Sequence, residues 1–213
     1  MSDPEIRSGV AALVLAAGKG VRLGGPKALL MIDGVPLALA HVVARLHECE
    51  RVVVVLRREV AEQLPPHTER APREVVFVYS DEPDEHGPAG SLRAAITAKA
   101  LEGMAKIVVT PVDVLPAPSR AIHKLLAPLD AGFRAVRFNH GHPIACVADV
   151  LGSRYGIDRE GAPPPLREVI EALGDQVCKL PIGEGDERIV GDLDTIDDVL
   201  RATGAPPKFW SDA

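Results

Sequence analysis

Apolar residues follow two alternating rhythms along this chain. Short, nearly solid runs at residues 10–16, 51–56, 74–79, 106–110, 135–138 and 143–147 have the length and the Val/Ile content of strands. Between them, residues 36–48, 90–102, 119–126, 166–173 and 195–202 place apolar side chains at helical spacing with polar residues on the other face. Strands that read as solid rather than alternating are buried on both sides. Their alternation with helices implies right-handed crossovers. The fold class that follows is α/β: a doubly wound, mostly parallel sheet with helices on both faces. Ligands of such sheets lie beyond the carboxyl ends of the strands, so the segments that leave those ends carry the chemistry. Proline-rich breaks at 116–118 and 162–165 interrupt the pattern, but composition does not shift across them, so neither reads as a linker.

Composition narrows this picture. A chain of 213 residues has room for one sizeable domain, read as 1–205 with 206–213 as a C-terminal tail. Aromatic residues make up only 3% of the chain, so Val, Leu, Ile and Ala must build the core. The net charge of −6, with no basic run, excludes the usual electrostatics of a nucleic-acid partner. Cys49, Cys146 and Cys178 are odd in number and unpaired in spacing, which fits small core residues rather than a disulfide framework or a zinc site. No apolar run reaches the roughly 20 residues of a membrane span, and no signal-peptide core is visible, so a cytoplasmic protein is expected.

The most informative segment follows the first strand. The run Leu15, Ala16, Ala17 ends at Gly18, and Gly20, Gly24 and Gly25 follow, interleaved with Lys19, Arg22 and Lys27. Glycines let backbone N–H groups approach an anion, and the cations neutralise it, so a loop of this kind reads as a phosphate holder. It is not a Walker A loop, for no Gly-Lys-Ser/Thr follows at the required gap. Nor is it a dinucleotide fingerprint, since Leu23 stands where the third glycine belongs. A second segment places Asp113 just past the strand at 106–110, facing the same crevice. Beside a phosphate-holding loop, that carboxylate is a Mg²⁺ candidate. Further on, Asp192 and Asp194 are two residues apart and point the same way on an extended chain. Thr195 then reads as a helix N-cap, with Asp197 and Asp198 in the first turn, where carboxylates suit the dipole. Asp33 to Pro36 reads as a structural turn. His41, His47, His67, His86 and His123 receive no role.

The order Leu-Ala-Ala-Gly-x-Gly-x-Arg-x-Gly-x-Pro-Lys resembles the signature loop of the MobA-like NTP transferases, and within them the molybdenum-cofactor cytidylyltransferases; the resemblance runs from Val10 to about Arg201. It implies a Rossmann-like nucleotidyltransferase fold in which Leu15, Ala16, Ala17, Gly18, Gly20, Gly24, Gly25 and Lys27 bind nucleotide. Arg22, Lys27 and Asp113 are implied as catalytic, and Asp113 and Asp192 as ligands of Mg²⁺. By the same resemblance, Gly87 and Ser91 lie against base and ribose, while Gly141 and His142 lie on the acceptor side. The chain departs from the family pattern at several places. Gly20 stands where serine is commoner, Leu115 where a proline follows the metal carboxylate, Ala95 replaces a glycine and Ile196 a proline.

The function implied is transfer of NMP from an NTP to an acceptor phosphate with release of pyrophosphate. The pairing of Ala16-Ala17 with Pro26-Lys27 favours CTP, and the acceptor implied is of the molybdopterin type. A molybdoenzyme or carrier would be the protein partner. Two other readings stay open on the residues alone: transfer to a sugar or alcohol phosphate, and a nucleotide-binding regulator without catalysis.

Overall fold

A computed structural model describes residues 7–65, 74–152, 156–157, 161–183 and 189–211. His67 and the last two residues of the tail lie outside them. The centre is a seven-stranded sheet in the order β5-β4-β1-β6-β8-β7-β9. Its strands are β1 (Arg7–Leu15), β4 (Cys49–Leu56), β5 (Glu74–Tyr79), β6 (Lys106–Pro111), β7 (Ala135–Phe138), β8 (Ile144–Val147) and β9 (Val177–Leu180). Pairing is parallel throughout except for β8, which runs antiparallel to both β6 and β7. The expected mostly parallel α/β sheet is therefore present. A two-residue hairpin, β2 (Met31–Ile32) and β3 (Val35–Pro36), stands apart from it. Its turn is made by Asp33 and Gly34 at φ 51 and 82, the left-handed pair that a tight hairpin demands.

Alternate residues of the central strands feed two cores. Val10, Ala12 and Val14 of β1, with Val52 and Val54 of β4, face α1 (Leu37–Arg45), α4 (Ser119–Asp130) and Val199 of α6 (Ile196–Thr203). Ala11, Leu13 and Leu15, with Val53 and Val55, face Leu92 and Ala95 of α3 (Gly87–Thr97) and Val169 and Ile170 of α5 (Leu166–Glu171). Helices thus cover both faces, and α2 (Arg58–Ala61) is a single turn after β4. No helix among the described residues is long and apolar enough to cross a membrane.

Two boundaries differ from the sequence pattern for local reasons. The helix expected from residue 90 begins at Gly87, which turns the chain at φ 51 and is followed by Pro88 in the first turn, where a missing N–H costs nothing. Ser91 is therefore buried in the helix rather than capping it. At 195, the expected cap is present: Thr195 and Asp198 form a reciprocal capping box.

Candidate active site

β1 lies between β4 and β6, and the chain first moves one way from it and later the other. A cleft of about 480 Å³ opens beyond the carboxyl ends of these strands. Its walls come from the segments after β1, β4, β5 and β6, with Asp194 added from near the C-terminus.

The loop after β1 folds on itself. Gly20 adopts φ 61, and a Cβ there would lie 2.0 Å from the Gly25 carbonyl oxygen, so no other residue fits without moving the loop. A short 3₁₀ turn, Val21–Leu23, follows. Leu23 N–H donates to Gly20 O at 2.9 Å, Gly24 N–H to Val21 O at 3.3 Å, and Gly25 N–H to Gly20 O at 3.4 Å. The N–H groups of Gly18, Lys19, Gly20, Val21 and Arg22 form no backbone hydrogen bond among the described residues. The five consecutive amides 18–22 are thus the anion donors this loop can offer. The N–H groups of Gly24 and Gly25 are already satisfied inside the loop, which gives these two glycines a geometric role instead of the donor role expected of them. Leu15, Ala16 and Ala17 are buried at the strand end, with Ala16 N–H donating to Val55 O.

Lys27 reaches into the cleft from the end of this loop, its side chain only 14% exposed. Its Nζ lies 2.5 Å from Asp194 Oδ1 and 3.4 Å from Asp113 Oδ2. Arg22 is 81% exposed and 3.8 Å from Asp194. Asp113 is brought to Asp192 by backbone: Leu193 N–H donates to Asp113 O at 2.6 Å, and Val114 pairs with Asp192 in an isolated antiparallel bridge. Desolvation by the surrounding chain, and then the Asp113 charge, raise the Asp192 carboxyl above its ordinary range. A carboxylate beside a second one offers the hard oxygen ligands that a divalent cation takes. Among the described residues no group of three or more His, Cys, Asp or Glu side chains could hold a metal.

The segment after Asp113 lacks the family's close proline, yet it is held firmly. His41 of α1, 1% exposed, donates from Nε2 to Val114 O at 2.9 Å. Four residues on, Arg45 bonds both Glu48 and the Ala117 carbonyl. Burial lowers the His41 pKa to about 4, so the ring is neutral at ordinary pH. His41 had no expected role; its helical register with Arg45 was visible in the sequence, but its partner was not.

Gly141 and His142 reach the same region. Gly141 has φ 85, and a Cβ there would meet Ile189 O at 2.2 Å; His142 N–H donates to that oxygen at 3.2 Å. His142 faces the charges of Asp113 and Asp192, which oppose the lowering of its pKa by burial, and its Nδ1 is buried without a partner among the described residues. Gly87 and Ser91 line the opposite, β5 side of the cleft.

Sequence reading missed Arg57. It directly follows β4 at the carboxyl end of the sheet, the same kind of position that singled out Asp113. Its guanidinium donates to Ala17 O at 3.3 Å, Glu82 O at 2.8 Å and Asp84 Oδ1 at 2.5 Å. Lys19 adds an ion pair to Asp84 at 2.6 Å and, ahead of other causes, holds that carboxyl below its usual range. The glycine loop is thereby tied to the segment that enters α3. Behind it, Glu82 accepts from Arg93 and from His86 Nδ1, the latter at 2.8 Å.

Residues 12–177 match the MobA-like NTP transferase domain. A probable molybdenum cofactor guanylyltransferase from Pyrococcus horikoshii is 29% identical over 181 residues, covering 80% of this chain and 82% of its own length. Among solved structures, Rv0371c from Mycobacterium tuberculosis H37Rv superposes with a TM-score of 0.70 at 23% identity, over 92% of this chain and 97% of that one. Its complex with manganese gives 0.68 at 19% identity, over 93% and 100%. At these identities the two structures share the fold with this chain.

Proposed function

The chain belongs to the MobA-like NTP transferase family, the nucleotidyltransferases, and from that premise we propose that it transfers NMP, from CTP in preference, to the phosphate of a molybdopterin-type acceptor. The observation that carries this reading is a convergence in one cleft: the unbonded amides of 18–22, Lys27 and Asp113 line it, and a backbone bridge to Val114 brings Asp192 next to Asp113. Residues 1–205 are read as the transferase domain, and the cytoplasm as its location.

In the proposed reaction an oxygen of the acceptor phosphate attacks the α-phosphorus. A new P–O bond forms as the bond to the β-phosphate oxygen breaks, and pyrophosphate leaves with the electron pair. The amides of 18–22 hold the β- and γ-phosphates. Lys27 and Arg22 neutralise charge as it moves onto pyrophosphate. Leu15, Ala16, Ala17, Gly87 and Ser91 shape the nucleoside side, held by the Arg57 bridge. Gly141 and His142 lie on the acceptor side. Asp113 and Asp192 would hold Mg²⁺ or a similar cation, which when bound would supply positive charge to the reacting phosphates. Positioning and charge neutralisation carry such a transfer, and no covalent nucleophile is needed.

The Pyrococcus relative is named for guanylyl transfer, so GTP is the competing nucleotide. Pyrophosphate release is measured from CTP, GTP, UTP and ATP with Mg²⁺, with and without molybdenum cofactor extracted from a carrier enzyme. Release from CTP that depends on the acceptor is expected. Acceptor-dependent release from GTP alone overturns the base assignment, and nucleotide binding with no release under any pairing overturns the acceptor.

A further inference from the structure

We propose that the C-terminal segment 208–210 is a strap that positions the nucleotide loop, with Phe209 the positioning residue behind Lys27. The proposal rests on the phosphate-binding reading of that loop.

The sequence pattern presents this segment as a tail, but its chemistry is that of a core. The chain has one Trp, two Tyr and four Phe, and two of these scarce rings stand side by side at Phe209 and Trp210. Both are half-buried and pack against the cluster containing Leu23, Ala28, Leu29 and Leu30. The backbone adds a short antiparallel ladder: Met31 N–H donates to Lys208 O at 2.7 Å, Trp210 N–H to Leu29 O at 2.8 Å, and Leu30 pairs with Phe209. On the other side of Lys27, the Phe209 ring lies against Gly25. A Cβ at Gly25 would come within 3.1 Å of its Cδ1 and Cε1 and 3.3 Å of its Cγ. Lys27 is therefore bracketed, the ring pressing on the residue two before it and the ladder gripping the residues two to four after it.

Bracketing of this kind acts on function as well as stability. Gly25 closes the loop through its bond to Gly20 O, and Gly20 lies among the five unbonded amides. Without the ring, Gly25 loses its backing, and the amides and Lys27 must be ordered when the anion binds. The same stretch of chain delivers Asp194 to Lys27, passes through α6 and returns as the strap, so the loop is held from the front by an ion pair and from behind by a ring.

The test uses inorganic tripolyphosphate with Mg²⁺ in excess as probe and the full chain throughout. Binding is followed by calorimetry and by emission of Trp210, the only tryptophan. Trp210 emission is expected to change little on saturation of the parent, whose strap is already in place, and to shift in Phe209→Ala as the loop orders; a parent shift as large as the variant's overturns the strap. Phe209→Ala is expected to weaken tripolyphosphate about tenfold, the cost of ordering a loop no longer preorganised, with far-UV circular dichroism unchanged. Gly25→Ala weakens binding through collision with the ring, so in the Phe209→Ala background it should cost much less; additive losses overturn the contact. Lys27→Ala separates the two ideas. If it loses tripolyphosphate while Phe209→Ala binds like the parent, the strap alone fails. If the parent does not bind tripolyphosphate, the phosphate reading of the loop fails and takes the strap with it.

Discussion

Acidifying the protein from pH 7 to pH 5 should cost it about 2 kcal/mol of stability through one side chain, His41. The ring is buried in α1 against the Val114 carbonyl, and burial lowers its pKa from 6.5 to about 4. The folded value lies below the unfolded one, so folding favours the neutral ring. The contribution is complete above pH 6.5 and is lost as pH falls through the window down to 4. Within that window the unfolded chain binds roughly one proton more than the native state, a slope of about 1.4 kcal/mol per pH unit. The assay is urea unfolding at half-unit steps from pH 7.5 to 4.5, run on the parent and on His41→Gln. Glutamine keeps a donor for Val114 O and does not titrate, so all other carboxylates and histidines cancel in the difference. The two stability curves should diverge below pH 6.5, the parent falling more steeply. Curves that stay parallel to pH 5 would falsify the reading of His41 as a neutral buried donor.

Three further outcomes are expected at the cleft. Asp113→Asn should lower turnover by about 10²-fold or more while nucleotide affinity, by calorimetry, moves far less; unchanged turnover removes Asp113 from the reaction. Gly20→Ala should weaken nucleotide binding with the sheet intact by circular dichroism, because a side chain held at positive φ costs roughly 1–3 kcal/mol and its Cβ would also meet Gly25 O at 2.0 Å; parent-like affinity means the loop can open there without cost. Arg57→Ala should raise KM for the preferred NTP and narrow its advantage over other nucleotides while leaving tripolyphosphate affinity alone, since Arg57 ties the glycine loop to the nucleoside wall; equal loss for tripolyphosphate places Arg57 with the phosphates instead.

Much of this was legible in the sequence where chemistry and period coincide. The apolar runs at 10–16, 51–56 and 106–110 became the central strands because a strand buried on both faces has few other solutions. The loop 18–27 and Asp113 drew attention because glycine and charge punctuate the carboxyl ends of those strands, and both line the cleft there. What escaped were mainly partners, together with one strand of the main sheet. β9 was not foreseen: a short strand, Val177–Leu180, with Lys179 exposed, has no periodicity longer than a turn. Arg57 and His41 are single residues whose roles depend on carbonyls of Ala17, Glu82 and Val114, far away along the chain, and a carbonyl leaves no trace in composition. The satisfied amides of Gly24 and Gly25 could not be read either, since glycine spacing is the same whether an N–H faces an anion or closes its own turn.

The charge arrangement explains how an acidic chain can hold an anionic substrate. In the protein alone, Lys27 is neutralised by Asp194 and Asp113, and Arg22 leans toward Asp194. A triphosphate entering this site unaccompanied meets cations already occupied and the carboxylates of Asp113, Asp192 and Asp194. A divalent cation held between Asp113 and Asp192 would remove part of that repulsion and release Lys27 toward the phosphates, so the two ligands favour each other. On the proposed reading Asp113 would serve twice, fixing Lys27 inside the cleft beforehand and accepting the cation afterwards. This accounts for Asp194, which sits beside the proposed metal pair but contacts only Lys27 and Arg22 among the described residues. On the proposed reading its carboxylate would hold the two cations beside the departing pyrophosphate, a part that neither a metal ligand nor a helix cap would play.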